Sequence, residues 1–215
     1  MCEATHPVAS RLNALLVEAA QTPLDPLQAS RFVTLHSLFL RWSARVNLSA
    51  IRDQDGILSR HFVESIACAR ALPAGISTLL DFGSGAGFPG IPIALCRPEI
   101  SVILAESQGK KAAFLSEAVR VLEISVKVHS GRAESLTSHF DCVTLRAVDK
   151  MDRAVQSAAH LVSPGGWLAI MTTTDSLPAL KAAAEAEFSW STVSLFPGND
   201  NRLLALGKRA LNSPS

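Results

Sequence analysis

The stretch Leu79-Leu80-Asp81-Phe82-Gly83-Ser84-Gly85-Ala86-Gly87-Phe88-Pro89-Gly90 decides how this chain folds. A short apolar run ends in an acid and then passes through four glycines. Glycine has no Cβ, so backbone turns sharply there and comes close to a ligand. Such a turn after a strand makes a nucleotide-type binding loop at the carboxyl end of an α/β sheet.

Downstream of Ser77 the sequence alternates. Apolar runs at Thr78–Asp81, Val102–Glu106, Val126–His129, Cys142–Arg146 and Trp167–Met171 are each followed by helical or turn sequence. Helices are expected at about Gly90–Cys96, stopped by Pro98, and at Lys110–Leu122. Strands alternating with helices of this length predict βαβ units and a parallel sheet covered on both faces. Trp190–Phe196 and Arg202–Leu206 flank the turn sequence Pro197-Gly198-Asn199-Asp200 and read as an antiparallel hairpin. The whole is a seven-stranded, mostly parallel, Rossmann-like sheet closed by an antiparallel C-terminal hairpin. That is the class I S-adenosylmethionine-dependent methyltransferase layout.

Upstream the sequence is helical. Asp25-Pro26 is an N-cap acid followed by proline at the first helical position. Phe32, Leu35, His36, Phe39 and Leu40 then recur at helical spacing, predicting a helix to about Arg45. Residues Asn47 to Arg52 read as a loop, and a further helix runs from about Asp55 to Leu72, ended by Pro73 and Gly75. The division is a helical extension over residues 1–75, packed on a core over 76–215, within one compact unit.

The bulk numbers exclude several classes. At 215 residues the chain is one domain with a small appendage, long enough to bury a sizeable core. No apolar run approaches the roughly 20 residues that span a bilayer. The N-terminal residues lack a basic start and apolar segment, so a cytoplasmic location is expected, without a secretory signal. The 4 cysteines, Cys2, Cys68, Cys96 and Cys142, form no CxxC pair, which argues against structural zinc or a disulfide framework. No metal is expected. A formal charge of +1 is unlike a dedicated nucleic-acid binder, so any such partner is held by a local patch.

Gly85-Ala86-Gly87-Phe88-Pro89-Gly90 satisfies the dinucleotide pattern G-x-G-x-x-G, which is weak alone. In that motif the following helix offers free N–H groups to a pyrophosphate. Pro89 removes one donor, and Phe88 places bulk where phosphates belong. Read as acid-x-Gly-x-Gly-x-Gly, with Asp81, Gly83, Gly85 and Gly87, the loop suits S-adenosylmethionine better. That cofactor has no phosphate; it has an ammonium that wants a carboxylate and a ribose that wants an acceptor pair. Glu106, ending the second strand, is the natural acceptor for the ribose hydroxyls. Ligands over open sheets sit at the carboxyl ends of strands. This places Ser130–Glu134, including Ala133, near the adenine and Arg146-Ala147 where the methyl leaves. A salt bridge from Arg146 to an acid such as Glu134 is compatible with that.

With these residues in view, the chain resembles the bacterial glucose-inhibited division protein B family, the small-subunit (16S) ribosomal RNA guanine-N7 methyltransferases. The likeness runs from about Phe39 to Arg146. It rests on Arg41-Trp42, on residues 47–52 and 60–65, and on Asp81 through Pro92. It continues through Glu106-Ser107-Gln108-Gly109-Lys110-Lys111, Phe114-Leu115, Arg132-Ala133-Glu134 and Arg146-Ala147. The Phe-Pro-Gly-Ile-Pro continuation of the glycine loop is its most specific part. The resemblance implies that Gly83, Phe88, Ala133, Glu134 and Arg146 contact the cofactor. Two departures stand out: Glu64 replaces a frequent Asp, and Met171-Thr172-Thr173-Thr174 stands where the family commonly has Lys-Gly.

The implied chemistry agrees with what is missing. Guanine N7 has a lone pair and no proton, so transfer needs proximity and alignment and no general base. The chain has no Asn/Asp-Pro-Pro-aromatic tetrad for an exocyclic amine and no Pro-Cys nucleophile for a pyrimidine carbon. No catalytic acid or base is assigned. The 6 histidines are dispersed; His36 on an apolar helix face reads as core, while His61 beside Arg60 is the candidate for a role. RNA-binding candidates are Arg41, Arg45, Arg52, Arg60 and His61 from the helical region. Lys110, Lys111, Arg132 and Arg202 join them around the cleft rim. The expected partner is 16S ribosomal RNA, within a small-subunit particle or assembly intermediate. Rival readings are a methyltransferase for another RNA, a protein or a small molecule, a nicotinamide-dependent oxidoreductase, and a non-catalytic binding module.

Overall fold

The structure, a computed structural model, describes residues 6–184, 188–195 and 201–211. Two helices open the chain, α1 (Pro7–Glu18) and α2 (Pro26–Ser43). Asp25 caps α2 as its sequence predicts, accepting the Gln28 N–H at 2.8 Å, with Pro26 behind it. The helix expected from Asp55 is three segments: α3 (Gln54–Ile57), a π-helical turn (Leu58–Val63) and α4 (Glu64–Ala71). The extra residue of a π turn re-aims the side chains on it.

The sheet comprises β1 (Thr78–Phe82), β2 (Ser101–Ala105), β3 (Lys127–His129), β4 (Phe140–Arg146), β5 (Val162–Thr173), β6 (Phe188–Ser194) and β7 (Arg202–Arg209). Its order is β3-β2-β1-β4-β5-β7-β6, with β1 to β5 parallel and β7 antiparallel to both neighbours. This is the Rossmann-like layout read from the sequence. The turn Pro197–Asp200 lies outside the described residues. Strand β5 begins five residues earlier than its apolar run, because Val162 pairs with Phe140 across a register shift that absorbs Pro164 and the following glycines.

The remaining helices are α5 (Gly90–Cys96), α6 (Gly109–Leu122), α7 (Met151–His160) and α8 (Leu177–Ala183). Alternation along the strands sorts the core into two layers. Leu79, Cys142, Ala169 and Leu204 face one layer with Phe32, Phe39, Phe62 and Phe114 from α2, the π turn and α6. Leu80, Val143, Ile170 and Ala205 face the other with Val155 and Leu180 from α7 and α8. The carboxyl ends of β1, β2 and β4 are thereby left open, with the π turn beside them.

Candidate active site

The loop after β1 is held by its own hydrogen bonds. Gly83, Gly85 and Gly87 have φ of +70°, +57° and +80°, a region that side-chain-bearing residues avoid. Ser84 N–H donates to the Ala105 carbonyl, Gly87 N–H to Ser84 and Ile91 N–H to Gly87. Gly85 N–H donates to Glu106 Oε2 at 2.9 Å, and Gly90 N–H to Asp81 Oδ2 at 3.2 Å. The N–H groups of Ser84, Gly85, Gly87, Gly90 and Ile91 are thus directed at protein oxygens, which adds to the objection Pro89 raises against a dinucleotide.

Asp81 departs from its expected place beside an ammonium. It is only 1% exposed and lies under the loop, where Oδ1 accepts from Thr144 Oγ1 at 2.9 Å and Oδ2 from Gly90. A Cβ on residue 90 would sit 2.6 Å from that Oδ2, so glycine is required for the approach. Burial raises the Asp81 pKa to about 6 despite these bonds. The physical reason for the departure is parity: Asp81 points to the same sheet face as Leu79, toward α5 and away from the cleft.

The cleft itself, about 390 Å³, is lined by Gly83 to Ala86, Phe88, Glu106, Lys111, His61 and Arg146 among others. Glu106 is buried at its wall, with Oε1 accepting from Gln108 N–H at 2.7 Å and Oε2 from Gly85. One bond per oxygen leaves acceptor capacity for a pair of hydroxyls. His61 stacks on Phe88 with ring centroids 5.1 Å apart and planes 19° apart. Its Nε2 is 2.7 Å from Ser49 Oγ, while Nδ1 is buried without a partner. Burial first, then Arg146 and Arg60, hold its pKa down to about 3, so the ring is neutral at working pH. An acceptor carboxylate, an aromatic shelf and a loop with several of its N–H groups bonded to protein fit a phosphate-free adenosine cofactor.

Other expected residues lie elsewhere. Gly87 sits below the cleft surface, packed toward Ile91. Ala133 is buried and Glu134 exposed on a short 3-10 turn (Ala133–Ser135) after β3, outside the cleft lining. Arg146 pairs with Glu64, at 3.8 Å, and donates to the Arg60 carbonyl; Glu134 is not its partner.

Comparison with known proteins gives the family. The family model described as rRNA small subunit methyltransferase G matches residues 28–199. The chain belongs to this family. It is 44% identical over 135 residues to ribosomal RNA small subunit methyltransferase G of Roseiflexus sp. (strain RS-1), covering 60% of this chain and 58% of that protein. To the protein of the same name from Stenotrophomonas maltophilia (strain R551-3) it is 39% identical over 170 residues, covering 77% and 79%. Among solved structures, a methyltransferase from Pyrococcus furiosus shares the fold, with a TM-score of 0.61 at 14% identity over 85% of this chain and all of that one.

The basic residues of this family member do not ring a single cleft, contrary to the sequence reading. Arg60, Arg146 and Arg202 converge on Glu64. Arg41, Arg45 and Lys110 border a separate groove with Trp42, where Glu117 accepts from Arg41 and from the Trp42 indole, both at 3.0 Å. Arg52 bonds Asn47, and Arg132 is exposed beside the 3-10 turn. Lys111 is the one lysine lining the cleft beside Gly83 to Ala86 among the described residues. Sequence reasoning missed Glu64 as the hub of an arginine cluster, although the i,i+4 spacing of Arg60 and Glu64 was a usable signal. It also missed Thr144, whose link to Asp81 spans 63 residues. No group of three or more metal-ligating side chains occurs among the described residues, and no helix there is long and apolar enough to cross a membrane.

Proposed function

We infer that this protein is an S-adenosylmethionine-dependent methyltransferase that acts on N7 of a guanine in 16S ribosomal RNA. Family membership supports the substrate class, and the single structural observation supporting the cofactor is Glu106 on the cleft wall, bonded to Gly85. When bound, S-adenosylmethionine supplies a sulfonium methyl; the N7 lone pair forms the new N–C bond, the C–S pair stays on sulfur, and guanine takes the positive charge.

No proton moves, and the residues of the cleft match that requirement. His61 is neutral and serves as a shelf with Phe88. Asp81 holds the loop to α5 from beneath. Glu106, Gly83, Gly85 and Phe88 are proposed to hold the cofactor, with Arg146 at the end where the methyl leaves. Ala133 and Glu134 would reach an adenine only from the rim. Rate enhancement then comes from alignment and exclusion of water, for which a preorganised cleft suffices.

We further propose that the substrate is a small-subunit particle or assembly intermediate in the cytoplasm. A formal charge of +1 and dispersed basic groups favour recognition of a folded surface over capture of free RNA. Residues 1–75 are read as a helical extension on a core of 76–215, sharing its apolar layer. Transfer of labelled methyl from S-adenosylmethionine to unmodified small subunits, to their precursors and to naked 16S RNA tests this. Label in small-subunit particles supports it; label only in naked RNA rejects the particle, and label in none rejects the substrate.

A further inference from the structure

With Asp81 turned under its loop, a ligand ammonium in the cleft needs a different carboxylate. Among the described residues the acids lining the cleft are Glu106 and Asp149. Both Glu106 oxygens already accept a backbone N–H, on the β2 side of the glycine loop. Asp149 follows β4, is exposed, and makes no hydrogen bond or ion pair among the described residues. Strand β1 lies between β2 and β4, so the two acids flank the glycine loop from opposite sides. The strands that carry them are two strand spacings apart, roughly 10 Å.

The backbone after β4 brings Asp149 to the cleft through a left-handed turn. Ala147 has φ +48°, a conformation that residues with a Cβ avoid, and Lys150 repeats it at +50° where α7 begins. Between them Val148 packs on Gly83, where a Cβ would lie only 3.0 Å from Val148 Cγ2. Val148 is thereby pinned against the loop, and Asp149 is held beside it on the cleft wall. Strained backbone of this kind persists where its surroundings fix it, and it concentrates at ligand sites.

Charge points the same way. Lys111 and Arg146 also line the cleft, and Arg146 is committed to Glu64 and to the Arg60 carbonyl. A ligand carrying both a sulfonium and an ammonium therefore meets protein cations there. Asp149 is the one uncommitted anion on that wall among the described residues.

We propose that Asp149 is the carboxylate that receives the ammonium of S-adenosylmethionine, with Glu106 on the ribose across the glycine loop. The proposal rests on the S-adenosylmethionine reading above. Asp149 fixes the amino-acid end on the β4 side, next to Arg146, so the ligand is clamped at both ends over Gly83 and Gly85. Neither acid has to exchange a proton for the transfer.

The test is isothermal titration of the whole protein with two ligands: S-adenosylhomocysteine, and its deaminated form in which hydrogen replaces the amino group. Both keep the adenine, the ribose and the terminal carboxylate, and neither has a sulfonium, so the amino group alone differs. Asp149→Asn is expected to weaken S-adenosylhomocysteine about tenfold, as for a lost charged hydrogen bond, and the deaminated form by less than about twofold. Glu106→Gln should weaken both ligands alike, because both keep the ribose. Equal changes for the two ligands in Asp149→Asn, or no change for either, overturn the proposal. A loss confined to the amino ligand in Glu106→Gln overturns it too, since the ammonium would then sit at Glu106. Asp149 is exposed and unbonded, so its replacement should leave the fold intact, which circular dichroism checks. Failure of the wild-type protein to bind either S-adenosylmethionine or S-adenosylhomocysteine is a different result and rejects the cofactor reading instead.

Discussion

Glu106 Oε2 accepts the Gly85 N–H at 2.9 Å, so the acid after β2 and the loop after β1 form one wall of the cleft proposed to hold the cofactor. The carboxylate holds the loop in shape and still offers lone pairs outward. Glu106→Gln preserves size but turns one acceptor into a donor. Its affinity for S-adenosylmethionine should fall by about 2 kcal/mol, near thirtyfold, as for a lost charged hydrogen bond. Isothermal titration checks it; an unchanged Kd removes Glu106 from the site.

Gly83 has φ +70°, and a Cβ there would lie 3.0 Å from Val148 Cγ2. Gly83→Asp therefore adds roughly 1–2 kcal/mol of left-handed strain and sets a carboxylate in the cleft. Cofactor binding should disappear while the far-UV circular dichroism stays native. A wild-type Kd in the folded variant contradicts the placement of the loop.

Asp81 gives a pH signature. Burial raises its pKa from 3.8 to about 6, so the folded state keeps a proton that the unfolded chain releases first. Its contribution to stability is complete below about pH 4 and is lost as pH rises through about 6, a change on the order of 3 kcal/mol. Asp81→Asn should flatten that segment of the stability curve in urea titrations between pH 4 and 7. Parallel curves for the two proteins contradict the buried, raised carboxyl.

His61 acts with the opposite sign. Its pKa falls from 6.5 to about 3, so the native fold excludes a proton that the unfolded chain accepts. That contribution is fully present above pH 6.5 and is lost as pH falls toward 3. His61→Phe keeps a ring on Phe88 and should reduce acid destabilisation, with transfer activity retained within about tenfold because no base is needed. Loss of activity with a shifted pH–rate profile makes His61 a proton carrier and contradicts a transfer that moves no proton.

The strands of the sheet, its parallel set closed by an antiparallel hairpin, and α5 and α6 were legible because apolar period, glycine and proline mark them directly, whereas the lateral strand order was given only by the structure. The family was legible from the loop and its Phe-Pro-Gly-Ile-Pro continuation. The role of Asp81 was half legible: the acid was found, but it shares the parity of Leu79, which turns it under the loop. The π turn was not legible, since Leu58, Phe62 and Val63 have the apolar spacing of an ordinary helix and no residue in Leu58 to Val63 marks a break. Arg60, Arg146 and Arg202, distant in sequence, likewise could not be seen to converge on Glu64. Basic residues scattered along a chain give no sign of which cavity each will border.

The most direct measurement is a map of N7-methylguanosine across small-subunit ribosomal RNA, by borohydride–aniline cleavage, from cells with and without the gene for this protein. Loss of one N7-methylguanosine in the deletion strain, restored by the wild-type gene and not by Gly83→Asp, is the predicted result. An identical map in both strains contradicts the assignment of guanine N7 as the methylated atom.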